Sequence, residues 1–377
     1  MRNGCLVVGL VLCQDYGALG FGQTPGLSLW RSWTSPTTHS NTATGPRITC
    51  TRRAPSKITT VSSSGVNMNN FLDRFLEGRE TNDAGSSSAA AAGKQKCPVL
   101  ICPAQLSIPE DYGLMIAAFK DRGFPAYCAD LTRLGWISGL LPSAFSAEYF
   151  KGELVPSKTL QFYYQAIDRA LDKVKENHPD QGLHLVGHSI GGWVARSWLA
   201  EHCSPPDREN VLSLTTLGTP NRGPREDAGV WTAVDQTRGL LKSINTRFPG
   251  AHVDGVRYTS VAGGALEGKF PGSVEEMLAF VSYLPLCGNG RVRGDGIIPC
   301  DIATLDGSTV IELSTSKHSG FIPFPGKAVD LGEDFLWYGS PDLIGAWIGN
   351  LEEAERKRGT SGTRGRGGRG ASGGWPW

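Results

Sequence analysis

The sequence carries almost no net charge, since 37 Lys and Arg stand against 36 Asp and Glu over 377 residues. Totals so balanced call for neither a nucleic-acid nor an acidic partner. The nine cysteines form no CxxC pair and no metal-ligand spacing, which excludes a disulfide framework or a zinc site as the organising device. The folded part is therefore expected to work with free thiols, and no cofactor is called for. Long apolar runs are also missing. The nearest, Cys5 to Cys13, is too short to span a bilayer as a helix.

Acidic residues are absent from Phe21 to Leu72, where Arg31, Arg47, Arg52, Arg53 and Lys57 lie among many Ser and Thr. That is transit-peptide composition. The apolar Cys5–Cys13 stretch before it has the size of a signal-peptide core, and Ala18-Leu19-Gly20 supplies a small-residue cleavage site that leaves Phe21 first. Residues 1–20 are thus expected to be a signal peptide and 21–64 a transit-like segment, the bipartite pattern that directs import into a plastid. Secretion with a disordered linker is the simpler alternative. Residues 65–94, with their Gly-Ser-Ala run, read as a flexible linker, 95–355 as the folded domain, and the Arg/Gly-rich residues 356–377 as a disordered tail. Such a tail can hold RNA or an anionic membrane through diffuse charge, but solvated chain is the plainer reading.

Within 95–355, apolar runs of strand type alternate with helical patterns, which predicts a mostly parallel sheet flanked by helices. Strands are expected at Pro98–Cys102, Ala126–Cys128, Leu183–Val186, Val211–Leu217, Val256–Val261 and Val310–Leu313, and helices at Ile108–Arg122, Thr159–Asn177 and Val194–Glu201. The order of the strands is not readable from the sequence.

The motif that carries chemistry is Gly187-His188-Ser189-Ile190-Gly191. A serine hydroxyl is a weak nucleophile, and a sharp strand-to-helix turn presents it to a base and to backbone donors. The pattern alone proves little, because Gly370-Ala371-Ser372-Gly373-Gly374 matches it as well. Ser372 has no strand before it and no helix after it; Ser189 has both. The base must follow in the chain. Of His202, His252 and His318, only His318 sits in a loop at the carboxyl edge of a strand, where the active residues of such sheets gather. Asp295, between two glycines, is the expected acid, with Asp301 and Asp306 as competitors. For the oxyanion, one backbone donor is Ile190, the residue after the nucleophile, and the second is Gln105 or its neighbour Leu106 in the loop after the first strand.

Several stretches resemble lipase-like α/β-hydrolases, in particular a plant and algal plastid group. They are Gly187 to Gly192, Leu217-Gly218-Thr219-Pro220-Asn221, Val234 to Leu241, Gly294 to Pro299, Lys317-His318-Ser319 and Leu336 to Pro341. The resemblance implies an α/β-hydrolase fold with Ser189, Asp295 and His318 as the triad, acting on a carboxylic ester, with an acyl lipid as substrate and a membrane surface as a possible partner. Two positions depart from it: Ala104 stands where Gly is expected in the oxyanion loop, and Asn221 where lipases often have His. The apolar insertion Gly263–Gly290 is either a lid over an acyl pocket or a helix packed on the core. The altered loop leaves a second reading open, a catalytically silent scaffold that binds lipid or a partner.

Overall fold

The computed structural model describes residues 59–60, 96–223, 235–323, 328–332 and 335–364, with side chains as far as 358 in the last stretch. The expected signal peptide, the Phe21 junction, most of the transit-like segment, the linker and Ser372 lie outside the described residues. In chain order the strands are β1 (Thr59–Thr60), β2 (Val99–Cys102), β3 (Ala126–Cys128), β4 (Leu183–His188), β5 (Val211–Leu217), β6 (Arg257–Gly263), β7 (Leu266–Glu267), β8 (Arg293–Gly294), β9 (Thr309–Leu313), β10 (Phe321–Ile322) and β11 (Val329–Asp330). The helices are α1 (Gly113–Asp121), α2 (Arg133–Ala144), α3 (Ala147–Lys151), α4 (Pro156–Thr159), α5 (Gln161–Asn177), α6 (Ile190–Glu201), α7 (Pro205–Asn210), α8 (Leu240–Arg247), α9 (Val274–Cys287), α10 (Pro341–Trp347) and α11 (Gly349–Arg364).

One parallel sheet runs β1-β9-β6-β5-β4-β2-β3. The two-residue β1 at its edge falls inside the stretch expected to be a presequence. β4 and β5 are buried along their whole length, which is why their sequences show no polar alternation strong enough to mark an exposed face. Successive residues of β4 still face opposite layers. Leu183 and Leu185 pack with Tyr163, Ile167 and Trp198 of α5 and α6, while Val186 packs with Met115, Phe119, Ile344 and Trp347 of α1 and α10. The result is a helix-sheet-helix sandwich with the site at the carboxyl edge of the strands.

The expected strands recur within a residue or two, and Ala126–Cys128 and Val211–Leu217 match end to end. Helix α2 was not anticipated. α11 continues to Arg364, so the first part of the expected disordered tail is helical, and Arg358 donates to the carbonyl and side-chain oxygens of Asn210 at 3.2 and 3.1 Å. The Gly263–Gly290 insertion forms β7 and α9. Ala279, Tyr283, Leu286 and Cys287 bury one face of α9 against Ile298 and Ile302, so the packed helix is the arrangement seen. Cys97, Cys102, Cys128, Cys203, Cys287 and Cys300 are all free thiols.

Candidate active site

Ser189 sits between β4 and α6 at φ 53° and ψ −127°, a region a side chain rarely adopts. Close packing holds it there. A Cβ on Gly187 would fall on the backbone of Gly192, and one on Gly191 would collide with the carbonyl oxygens of Cys102 and Pro103. The glycines therefore let β4, α6 and the loop after β2 meet at the serine. Its amide donates to Leu217 O at 2.9 Å, tying the turn to β5. The first turn of α6 aims its unpaired N–H groups at the same place.

Asp295 and His318 come together from loops more than twenty residues apart: His318 Nδ1–H donates to Asp295 Oδ2 at 2.8 Å. The carboxylate is wholly buried. Three more donors hold it, the amides of Ile297 (2.9 Å) and Ile298 (2.7 Å) on Oδ1 and the Tyr338 hydroxyl (2.7 Å) on Oδ2. A buried charge requires such compensation. The His318 amide also donates to Asp295 O at 2.9 Å, so backbone and side chain fix the pair together. Tyr338 accepts from Gly263 N–H at 2.7 Å, and burial pushes its phenol well above the usual range, so it remains a donor. Tyr283 of α9 supports the same loop by accepting from Gly296 N–H at 2.7 Å.

The competing residues have other partners. Asp306 pairs with Arg222 at 2.5 Å on the surface, and Asp301 lends its backbone carbonyl to the same arginine at 3.4 Å. His202 is bound by Asp168 at 2.8 Å at the far end of α6. His252 packs against Phe248 and Tyr258.

In the loop after β2, donors from three side chains capture carbonyl groups. Tyr163 Oη donates to Pro103 O, Arg133 to Leu106 O at 2.6 Å, and Trp136 Nε1 to Ser107 O at 3.0 Å. Arg133 is itself held by both oxygens of Asp111, at 2.9 and 3.1 Å. Ser107 N–H donates to Ala104 O at 3.1 Å, closing a turn with Leu106 at φ 59°, where glycine is usual. Ala104 N–H is taken by the Tyr112 hydroxyl at 2.8 Å. The amides of Gln105, Leu106 and Ile190 have no protein acceptor among the described residues. Sequence reasoning missed Tyr338, Arg133, Asp111, Tyr163 and Trp136. Only Tyr338 carried a signal, within Leu336 to Pro341.

Asn221, which stands where lipases often have His, is buried and structural. Its side chain donates to Ala303 O at 2.9 Å and Thr216 Oγ1 at 3.2 Å. Asp235 of the Val234–Leu241 stretch takes the amides of Thr237 and Gly239, each at 2.8 Å, and shapes the entry to α8. No group of three or more metal-ligating side chains assembles among the described residues.

A family model described as "alpha/beta hydrolase fold" matches residues 98–240, a stretch that holds Gln105 and Ser189 and ends before Asp295 and His318. No curated protein matches the chain. Among solved structures, the Bacillus licheniformis lipase BlEst2 in mature form aligns with 17% identity and a TM-score of 0.42, over 70% of this chain and 96% of that one. The parallel sheet, the strained serine at its strand-to-helix turn and the family match together give this chain the α/β-hydrolase fold.

Proposed function

We propose that the chain is a serine esterase that cleaves carboxylic esters of acyl lipids through an acyl-enzyme. The observation that carries this reading is the Asp295–His318 pair, tied through the His318 carbonyl to His188, the residue that precedes the strained Ser189. With Nδ1–H committed to Asp295, the neutral His318 ring offers the lone pair of Nε2 to the serine proton. Attack by Ser189 Oγ on the ester carbon places negative charge on the carbonyl oxygen, which the amides of Ile190 and Gln105 stabilise. The proton then passes from His318 to the leaving alcohol, and a water, activated in the same way, releases the acid and restores the serine.

An acyl substrate is supported by α2. Leu134, Ile137 and Leu141 recur on one face at i, i+3 and i+7 and stand 78%, 50% and 50% exposed. The same helix holds Leu106 and Ser107 through Arg133 and Trp136, so the apolar stripe is carried by the helix that braces the oxyanion loop. This supports contact with a lipid surface. No helix of the described residues is long and apolar enough to cross a membrane. The composition of residues 1–64 supports delivery to a plastid, which a fluorescent fusion of residues 1–94 tests against secretion.

The deciding experiment is turnover of short p-nitrophenyl esters by the unaltered protein and by Ser189→Ala, with a fluorophosphonate probe alongside. Turnover and labelling at Ser189, both lost in the variant, are expected. A folded protein that neither turns over nor labels is instead a silent scaffold.

A further inference from the structure

We propose that His188 and Tyr112 are positioning residues that lock the oxyanion loop, the nucleophile and the base loop into one register. His188 immediately precedes Ser189, and its ring is wholly buried. Nε2 lies 2.9 Å from the carbonyl oxygen of His318, and Nδ1 lies 2.8 Å from the Tyr112 hydroxyl. The Tyr112 hydroxyl in turn lies 2.8 Å from the amide nitrogen of Ala104.

The chemistry of the partners assigns every proton in this chain. A carbonyl oxygen only accepts, so Nε2 carries a hydrogen and donates to His318 O. In the neutral ring Nδ1 is then an acceptor, and Tyr112 must donate to it. The phenol oxygen is left to accept Ala104 N–H. The hydrogen bonds run in one direction, Ala104 to Tyr112 to His188 to His318, with none unsatisfied. Burial holds the imidazole pKa down to about 3, with the neighbouring His318 acting in the same direction, so one protonation state persists at neutral pH. Edge contacts from Trp337 and Phe321 to Tyr112, at 6.1 and 5.4 Å between ring centroids, leave the phenol little room to turn.

Three members of this hydrogen-bonded chain lie in or next to residues of the proposed site. Ala104 precedes Gln105, Ser189 follows His188, and the accepting carbonyl belongs to His318. Slack in the chain shifts the oxyanion donor and the base relative to the serine, and displacement by an ångström can lower the rate by about a hundredfold. Neither His188 nor Tyr112 takes a proton from substrate.

The inference rests on the serine-esterase reading, and the test separates the two. In the full chain, kcat and KM for a p-nitrophenyl ester are compared for the unaltered protein, Ser189→Ala, Tyr112→Phe, His188→Leu, His188→Gln and the Tyr112→Phe/His188→Leu double variant, with thermal unfolding of each. Tyr112→Phe is expected to lower kcat about tenfold and His188→Leu about a hundredfold, both with KM changed less than about twofold. His188→Gln, whose amide can accept from Tyr112 and donate to His318 O, should recover most of the loss. The double variant should be no slower than His188→Leu alone, because the two residues act as one unit. Turnover that needs Ser189 but is unchanged in Tyr112→Phe and His188→Leu overturns the positioning role and leaves the esterase reading intact. Losses that multiply in the double variant, or that follow the unfolding temperature, overturn it as well. Absence of Ser189-dependent turnover in the unaltered protein overturns both.

Discussion

Tyr338 donates its hydroxyl to the same Asp295 Oδ2 that receives His318 Nδ1–H, at 2.7 and 2.8 Å respectively. The tyrosine therefore sets the position of the oxygen that orients His318, the proposed base, while accepting Gly263 N–H on its other side. Tyr338→Phe keeps the ring and removes both hydrogen bonds. It leaves the buried Gly263 amide unsatisfied, at a cost of about 1–3 kcal/mol in stability. It also frees Asp295 to turn, and kcat should fall about tenfold with little change in KM. Urea unfolding and steady-state kinetics on one short ester check both outcomes. Full activity in the variant would show that the two backbone amides and His318 alone hold the carboxylate.

Asp295→Asn tests the same pair more severely. An amide is nearly isosteric, but its NH2 group can turn toward His318 Nδ1 and stabilise the tautomer with the hydrogen on Nε2. That nitrogen then has no lone pair for the serine proton, and kcat should drop by about 10³–10⁴. Burst kinetics should show slow acylation, and fluorophosphonate labelling should slow in parallel. Labelling at the unaltered rate would identify a different acid.

Much of this was legible because parallel strands buried on both faces read as short apolar runs. Val211–Leu217 could be found for that reason, and the strand and helix around Ser189 separated it from Ser372. The order of the sheet could not be read, since the runs say nothing about which neighbours they pair with. Helix α2 escaped because Gly135, Gly139 and Pro142 interrupt it and much of its apolar surface faces outward rather than toward the core. The support of the site was the least visible part. Arg133 reaches back to Asp111 and Leu106, and Tyr338 reaches Asp295 across 43 positions, through side-chain hydrogen bonds that no local pattern encodes. His188 stood in the variable position of the motif, so its spacing carried no message about its two partners.

Arg133 offers a test of how the oxyanion loop is held. Its guanidinium and the Asp111 carboxylate are largely buried, with side chains 10% and 4% exposed, and the arginine also captures Leu106 O. Arg133→Met leaves the aspartate charge without that partner, and removing one member of a buried pair costs about 3–5 kcal/mol. Adding Asp111→Asn should restore much of the stability, because the stranded charge is gone. It should not restore kcat, since Leu106 at φ 59° still lacks the donor on its carbonyl. Chemical denaturation and kinetics on the single and double variants separate the two effects. Recovery of both together would mean that the arginine serves stability alone.

The stripe on α2 predicts a split between substrates. Ile137→Glu and Leu141→Glu place charge on residues that are already half exposed, so the core is untouched and short esters should turn over as before. Retention on phosphatidylcholine vesicles should fall, because each change removes apolar area from the contact and adds a charge that must be desolvated. Hydrolysis of vesicle-borne acyl lipid should fall with it, by about tenfold for the double change. Flotation of the protein with vesicles and assay of both substrates check this. Equal loss on both substrates would place the stripe in the folding of the oxyanion loop rather than at a lipid surface.

His188 makes stability depend on pH in a definite direction. Burial depresses its pKa from 6.5 to about 3 in the folded chain, whereas the unfolded chain titrates near the ordinary value. Above about pH 6.5 both states are neutral at this residue and its contribution is fully present. As pH falls through the window from 6.5 toward 3, the unfolded state takes up a proton that the folded state refuses, and stability drops by up to about 1.4 kcal/mol per pH unit. Between about pH 7 and about pH 4.5 that amounts to about 2–3 kcal/mol. His184, buried against Ser213 and Glu355, shifts in the same direction, and the carboxylates add their own slopes. The informative quantity is therefore the difference between the unaltered protein and His188→Gln, measured by urea unfolding at both pH values, because every group not coupled to His188 cancels in it. The variant should lose less stability on acidification by about that amount. Parallel curves would mean that the imidazole gains a proton in the folded chain, and the one-directional hydrogen bonding from Ala104 to His318 would then have to break before the protein unfolds.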